Sequence, residues 1–252
     1  LLRIVTSPVK KLISTPCWAN YGVVRMSSPL VSMRGLERHY HMASGTVRAL
    51  DGIDLEVSEG ERIILLGPSG SGKTTLLNCI SALDSPTAGS YSFDGSPVPN
   101  DDSEEMTSFR RENIGYVFQF FNLLQDLTVM ENITLIQELA GGRDEARARQ
   151  LLELVGLSEE VDRFPAEISG GQQQRVAIAR SLAKRLRLLL GDELTGNLDS
   201  KTSAMVMEVL VKACQSEGIT CIFVTHDETL VEYSTRVVRL DSGRIWSDTP
   251  VG

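Results

Sequence analysis

Eight consecutive residues, Gly67-Pro68-Ser69-Gly70-Ser71-Gly72-Lys73-Thr74, have the types and spacing of a phosphate cradle. Glycines let successive backbone N–H groups turn inward into an anion nest, because no Cβ stands in the way. A helix starting at Lys73 adds the partial positive charge of its N-terminus. Lys73 supplies a compact cation for the outer phosphates, and the Thr74 hydroxyl suits a Mg²⁺ ion, with Thr75 following in the helix. The apolar run Arg62–Leu66 before the loop and the helix-compatible stretch Lys73–Leu83 after it are the context such a cradle needs. The loop implies a nucleotide and leaves the reaction open.

Two further runs narrow the chemistry. Leu188-Leu189-Leu190-Gly191-Asp192-Glu193 reads as an apolar strand ending in two carboxylates. On its own such a pair is an ordinary solvated turn. Beside a phosphate loop, Asp192 suits Mg²⁺, and Glu193, pointing another way, suits polarising a water at the terminal phosphate. Ile168-Ser169-Gly170-Gly171-Gln172 opens a helix, so Ser-Gly-Gly offers a second anion-binding N-terminus, 96 residues beyond Lys73. One triphosphate cannot easily use both ends within one chain. A head-to-tail pair of chains can, each nucleotide lying between one copy's loop and the other's Ser-Gly-Gly helix.

The positioning elements follow from periodicity. Gly35 to Glu61 and Tyr91–Phe93 read as antiparallel strands split by turn signals. Gly115–Phe118, Arg187–Leu190 and Ile219–Thr225 read as strands, the last of the buried parallel type. Arg143–Val155, Gln172–Lys184 and Thr202–Ser216 carry helical stripes, and Val237–Leu240 with Arg244–Trp246 form a closing hairpin around Asp241-Ser242-Gly243. The expected fold is α/β: a phosphate-loop core, an antiparallel β subdomain, and an inserted helical subdomain over about 104–180 within a domain spanning 34–248.

Composition is that of an ordinary globular chain, 42% hydrophobic and 23% charged over 252 residues. No apolar run approaches the roughly 18 residues of a membrane helix. The four cysteines have no metal-ligand spacing, which argues against a zinc site or a disulfide framework. Residues 1–36 carry five basic residues and no acid, whereas the rest holds 20 basic against 33 acidic residues. An acidic body excludes general nucleic-acid binding as the main task. Residues 1–33, basic and Ser-rich, fit either an organellar transit peptide or a disordered extension.

The run Ile168 to Arg175 resembles the signature motif of ATP-binding cassette (ABC) ATPases, and the resemblance extends over residues 34–248. It implies roles for further residues in the family's order. Gln119 corresponds to the Q-loop glutamine at Mg²⁺ and the attacking water. Asn197-Leu198-Asp199 corresponds to the D-loop that crosses between copies. His226 corresponds to the switch histidine at the γ-phosphate, and Tyr40 to the aromatic that stacks on adenine. Leu194 stands where the family has Pro, and Arg185-Leu186 where it has Asn-Pro, which leaves more backbone freedom beside Glu193. The stretches Phe120–Asn132, Phe164–Ile168 and Thr195–Asp199 resemble the subgroup for lipoprotein release, macrolide export and cell division. The resemblance implies an ATPase using ATP and Mg²⁺, dimeric with a second copy of itself, peripheral on the cytoplasmic face of a membrane or within an organelle. Its partner is then a transmembrane permease; the alternative is a soluble ABC ATPase with an assembly role.

Overall fold

The computed structural model describes residues 28–251 apart from 44, 101–103 and 197. The described residues open with strands Val31–Met42 (β1), Gly45–Val57 (β2) and Arg62–Leu66 (β3), then helix Lys73–Ile80 (α1) and strands Ala88–Phe93 (β4) and Ser96–Pro97 (β5). Helix Glu104–Asn113 (α2), strand Ile114–Val117 (β6) and helices Val129–Leu139 (α3), Glu145–Leu154 (α4) and Gly170–Ser181 (α5) form the middle. Strand Leu188–Asp192 (β7), helix Ser200–Glu217 (α6) and strands Thr220–Val224 (β8), Arg236–Asp241 (β9) and Arg244–Pro250 (β10) complete it.

Among the described residues these strands form two sheets, an antiparallel one ordered β2-β1-β4-β5 and a six-stranded one ordered β10-β9-β3-β8-β7-β6. The second is parallel from β9 through β6, with β10 folded back on β9. Its inner strands β3, β7 and β8 are apolar on both faces, as a covered parallel sheet requires. Alternate residues serve different cores: Ile63, Leu65, Leu188 and Leu190 pack toward α1 and the antiparallel sheet. Ile64, Leu66 and Leu189 pack toward α5, α6 and the helical lobe. A one-residue slip in β3 would therefore exchange two cores at once.

Several expected boundaries shift for physical reasons. Residues 31–33 belong to β1 rather than to an N-terminal extension, with Val31 and Met33 fully buried; residues 1–27 of that expected extension lie outside the described residues. Helix α1 stops at Ile80, because Ala82 takes a left-handed φ of 54° and the Leu83 and Asp84 amides both turn back to the Asn78 carbonyl. Helix α5 starts earlier than its apolar stripe does: Ser169 caps it, in a capping box with Gln172. Strand β6 pairs with β7 inside the core sheet. The helical lobe is thus the excursion between those two strands, beginning and ending later along the chain than the expected 104–180.

Candidate functional site

The loop between β3 and α1 is shaped by contacts that only glycine tolerates. A Cβ on Gly67 would stand 2.1 Å from the Leu240 carbonyl oxygen, and one on Gly72 would stand 2.3 Å from that of Ala49. Gly72 also holds a left-handed φ of 103° as the residue preceding α1. Lys73 is buried, and its Nζ donates to the carbonyl oxygens of Gly67 at 2.7 Å and Pro68 at 2.9 Å. The cation is therefore held over the loop by the loop's own backbone.

Strand β7 delivers the two acids beside that loop. Burial raises Asp192 above the usual carboxylate range against the opposing hydrogen bond from the Thr74 hydroxyl, while the charge of Glu193 adds to the rise. The Asp192 Oδ1 is buried without a hydrogen-bond partner. A buried orphan oxygen next to a hydroxyl fits a hard cation with oxygen ligands. Among the described residues no cluster of three or more His, Cys, Asp or Glu side chains forms a metal cage. Mg²⁺ at Thr74 and Asp192 would need phosphate oxygens to complete its shell, which is how this ion commonly binds.

Glu193 sits in the left-handed region at φ 48°, costly for a residue with a Cβ, while its amide donates to the Val224 carbonyl of β8 at 3.0 Å. Its carboxylate lies 2.9 Å (Oε2) and 3.1 Å (Oε1) from Nδ1 of His226, whose ring is largely exposed. Gln119 comes to the same place: a Cβ on Gly196 would be 3.7 Å from both Gln119 Nε2 and Glu193 Oε2. Leu194 is buried in the core and packs on Gly191, where a Cβ would stand 2.6 Å from its Cδ1. This packing anchors the turn in place of the ring constraint that a proline would give.

These groups border one cavity of about 640 Å³. It brings together Ser69, Gly70, Gly72, Lys73, Thr74, Thr75, Gln119, Asp192, Glu193 and His226. Gly67 and Pro68 border an adjoining recess shared with His226 and Trp246, and the Ser71 hydroxyl is buried beneath the loop. Sequence reasoning missed Val47, Arg48 and Ser242, which also line the cavity. Val47 is the cross-strand partner of Tyr40, so the pairing of β1 with β2 was the signal that would have found it.

Other expected site residues stand apart. Tyr40 does not line the cavity; its phenol donates to Asp84 Oδ2 at 2.5 Å, and burial followed by that bond raises its pKa. Ser169, Gly170, Gly171 and Gln172 lie at the N-terminus of α5, outside the cavity, with the Ser169 hydroxyl accepting from the Gln172 amide at 3.3 Å. Asp199 caps α6, accepting from the Lys201 and Thr202 amides at 3.1 Å, and its bonds from Thr202 hold its carboxyl low. Asn197 lies outside the described residues. The two helix starts touch: a Cβ on Gly171 would be 2.6 Å from Thr202 Cγ2, and one on Gly170 would be 3.6 Å from the Phe121 ring.

Comparison with known proteins agrees with this geometry. Residues 50–196 match the family model described as "ABC transporter". The "Lipoprotein-releasing system ATP-binding protein LolD 2" of Caulobacter vibrioides is 43% identical over 87% of this chain and 98% of that protein. The "Macrolide export ATP-binding/permease protein MacB 1/2" of Paracoccus denitrificans is 40% identical over 89% of this chain, covering 34% of its own length. The cassette MJ0796, solved as a dimer and in a post-hydrolysis state with ADP and Pi, is 37% identical with a TM-score of 0.80, covering 88% of this chain and 99% of that one.

Proposed function

This chain belongs to the ABC transporter family and is an ATPase, and from that premise we propose that two copies close head to tail over two ATP molecules and drive a separate transmembrane permease. One observation carries the two-copy reading. The Ser169-Gly170-Gly171 helix start lies outside the cavity that holds Lys73, Asp192 and Glu193 within the same chain. An anion-binding helix end without access to its own chain's phosphates is a site for another chain's.

Within that frame the residues divide the work. The amides of Gly67 to Thr74 and the Lys73 ammonium bind the phosphates, and Ser169 to Gln172 of the second copy close over the γ-phosphate from the other side, with Asp199 crossing between copies. Thr74, Asp192 and Gln119 would hold Mg²⁺, which when bound neutralises charge on the phosphate oxygens. Glu193 takes the proton of the attacking water, and His226, paired with the same carboxylate, orients it. Tyr40 stacks on adenine.

Phe118, Phe120, Leu124 and Leu83 are large apolar side chains left exposed on and near the segment carrying Gln119, Phe120 the most at 69%. They support docking of a permease where movement of Gln119 is felt. Among the described residues no helix is long and apolar enough to cross a membrane, and the proposed location is peripheral, on the cytoplasmic face. The chemistry is tested with Glu193→Gln, which is expected to bind ATP within a few-fold of wild type. Its phosphate release should fall by about 10²–10⁴. Unchanged release would remove Glu193 from the reaction.

A further inference from the structure

The expected adenine-stacking ring is already half of a stack. The Arg38 guanidinium lies over the Tyr40 ring, 4.6 Å from its centroid. The same guanidinium is gripped by Asp84 at both oxygens, Nε to Oδ2 at 2.9 Å and Nη2 to Oδ1 at 2.6 Å. Asp84 Oδ2 also accepts the Tyr40 phenol at 2.5 Å. A two-pronged carboxylate grip fixes the guanidinium plane, which a lysine could not reproduce. The plane covers one face of the ring, and the phenol bond stops the side chain from swinging away.

What Asp84 is attached to gives the arrangement its meaning. Asp84 follows α1, the helix whose first turn ends the phosphate loop, and its amide bonds the Asn78 carbonyl of that helix at 3.1 Å. One residue of the same loop holds β1 in register through two bonds: the Thr87 amide donates to the Glu37 carbonyl at 2.7 Å, and the His39 amide donates to Thr87 Oγ1 at 2.9 Å. The strand carrying Tyr40 is thus lashed to the far end of α1, about 12 Å of helix from Lys73. Val47, the cross-strand partner of Tyr40, and Thr75, in the first turn of α1, both line the nucleotide cavity.

We propose that Arg38 and Asp84 are positioning residues for the nucleobase: they back the Tyr40 ring from behind and fix its distance from the phosphate loop through α1, so that a purine completes an Arg38–Tyr40–base stack. This rests on the reading of Tyr40 as the adenine platform. Holding the ring in advance spares the base the ordering cost of an unsupported aromatic side chain. Neither residue touches the phosphates, so their influence is confined to the base.

The test compares ATP with inorganic tripolyphosphate, which lacks base and sugar, by equilibrium binding to the full chain carrying Glu193→Gln. Asp84→Asn is expected to weaken ATP about tenfold, while tripolyphosphate binding stays within twofold. Arg38→Lys, which keeps the charge and loses the planar fork, should weaken ATP by a similar factor. Full ATP affinity in that variant would overturn the stacking role. Equal loss for both ligands, or for neither, in Asp84→Asn would overturn the positioning role. Tyr40→Ala separates the two levels, because if it leaves the ratio of the two affinities unchanged, the adenine platform itself is wrong. Tyr40→Phe keeps the ring under Arg38 and removes the phenol bond; a retained ring in a folded chain should lose less than Tyr40→Ala.

Discussion

The phosphate loop and the Ser169 helix start, both proposed as anion-binding ends and both built from small residues, are finished to different degrees. Lys73 is buried and donates to two loop carbonyls, and it sits beside an Asp192 whose Oδ1 is buried and unpartnered. Ser169 is exposed, its hydroxyl caps its own helix, and it does not line the core cavity. The first region is a pocket whose lining one chain supplies by itself. The second lies outside that pocket, and its proposed ligand comes from another copy. The contrast teaches that a stable fold and a complete site are separate achievements here, the first reached by one chain and the second by two.

The largest effect should come from attacking the finished half. Lys73→Ala is expected to lower ATP affinity by about 10²–10³-fold and to abolish turnover, read by equilibrium binding and phosphate release. Wild-type turnover would mean that the loop holds something else. Attacking the prepared half should split the two readouts. Ser169→Arg is expected to keep single-chain ATP binding within a few-fold while steady-state phosphate release falls to background. Ser169→Ala is its control, because it loses the same N-cap, about 1 kcal/mol, without the bulk. Loss of ATP binding in the monomeric Ser169→Arg chain would place that helix in the one-chain site and erase the contrast.

A smaller effect probes what holds the finished half in shape. Leu194→Ala should lower stability by about 2–5 kcal/mol in chemical denaturation, since a buried leucine packed on Gly191 would leave a cavity. Phosphate release should fall further than ATP affinity, because Glu193, the preceding residue, loses its anchor. Equal stability would show that the strained turn at Glu193 is held by the β8 bond alone.

The sequence made the phosphate loop legible because steric demands write themselves as glycine: Gly67 and Gly72 stand where a Cβ would strike backbone. The acids of β7 were legible as the polar end of an apolar run, although the left-handed turn at Glu193 was not, since nothing in the residue's type announces it. Val47 and Arg48 escaped notice because they reach the cavity through the pairing of β1 with β2, a contact between strands rather than a motif within one. Asp199 carries a local duty, capping α6, that any Asp before a helix would show. The placement of β6 in the core sheet was hidden for a similar reason: a four-residue strand between α2 and a long helical excursion carries too little periodicity to declare its partner.

In the proposed mechanism, hydrolysis needs two chains around each ATP. Light scattering on the Glu193→Gln chain with saturating Mg-ATP measures this most directly, because slow hydrolysis preserves the closed state. Two chains per particle are expected with ATP, one without it, and one when Ser169→Arg is added. A single chain per particle with ATP fully bound, alongside normal turnover of the wild-type chain at the same concentration, would contradict it.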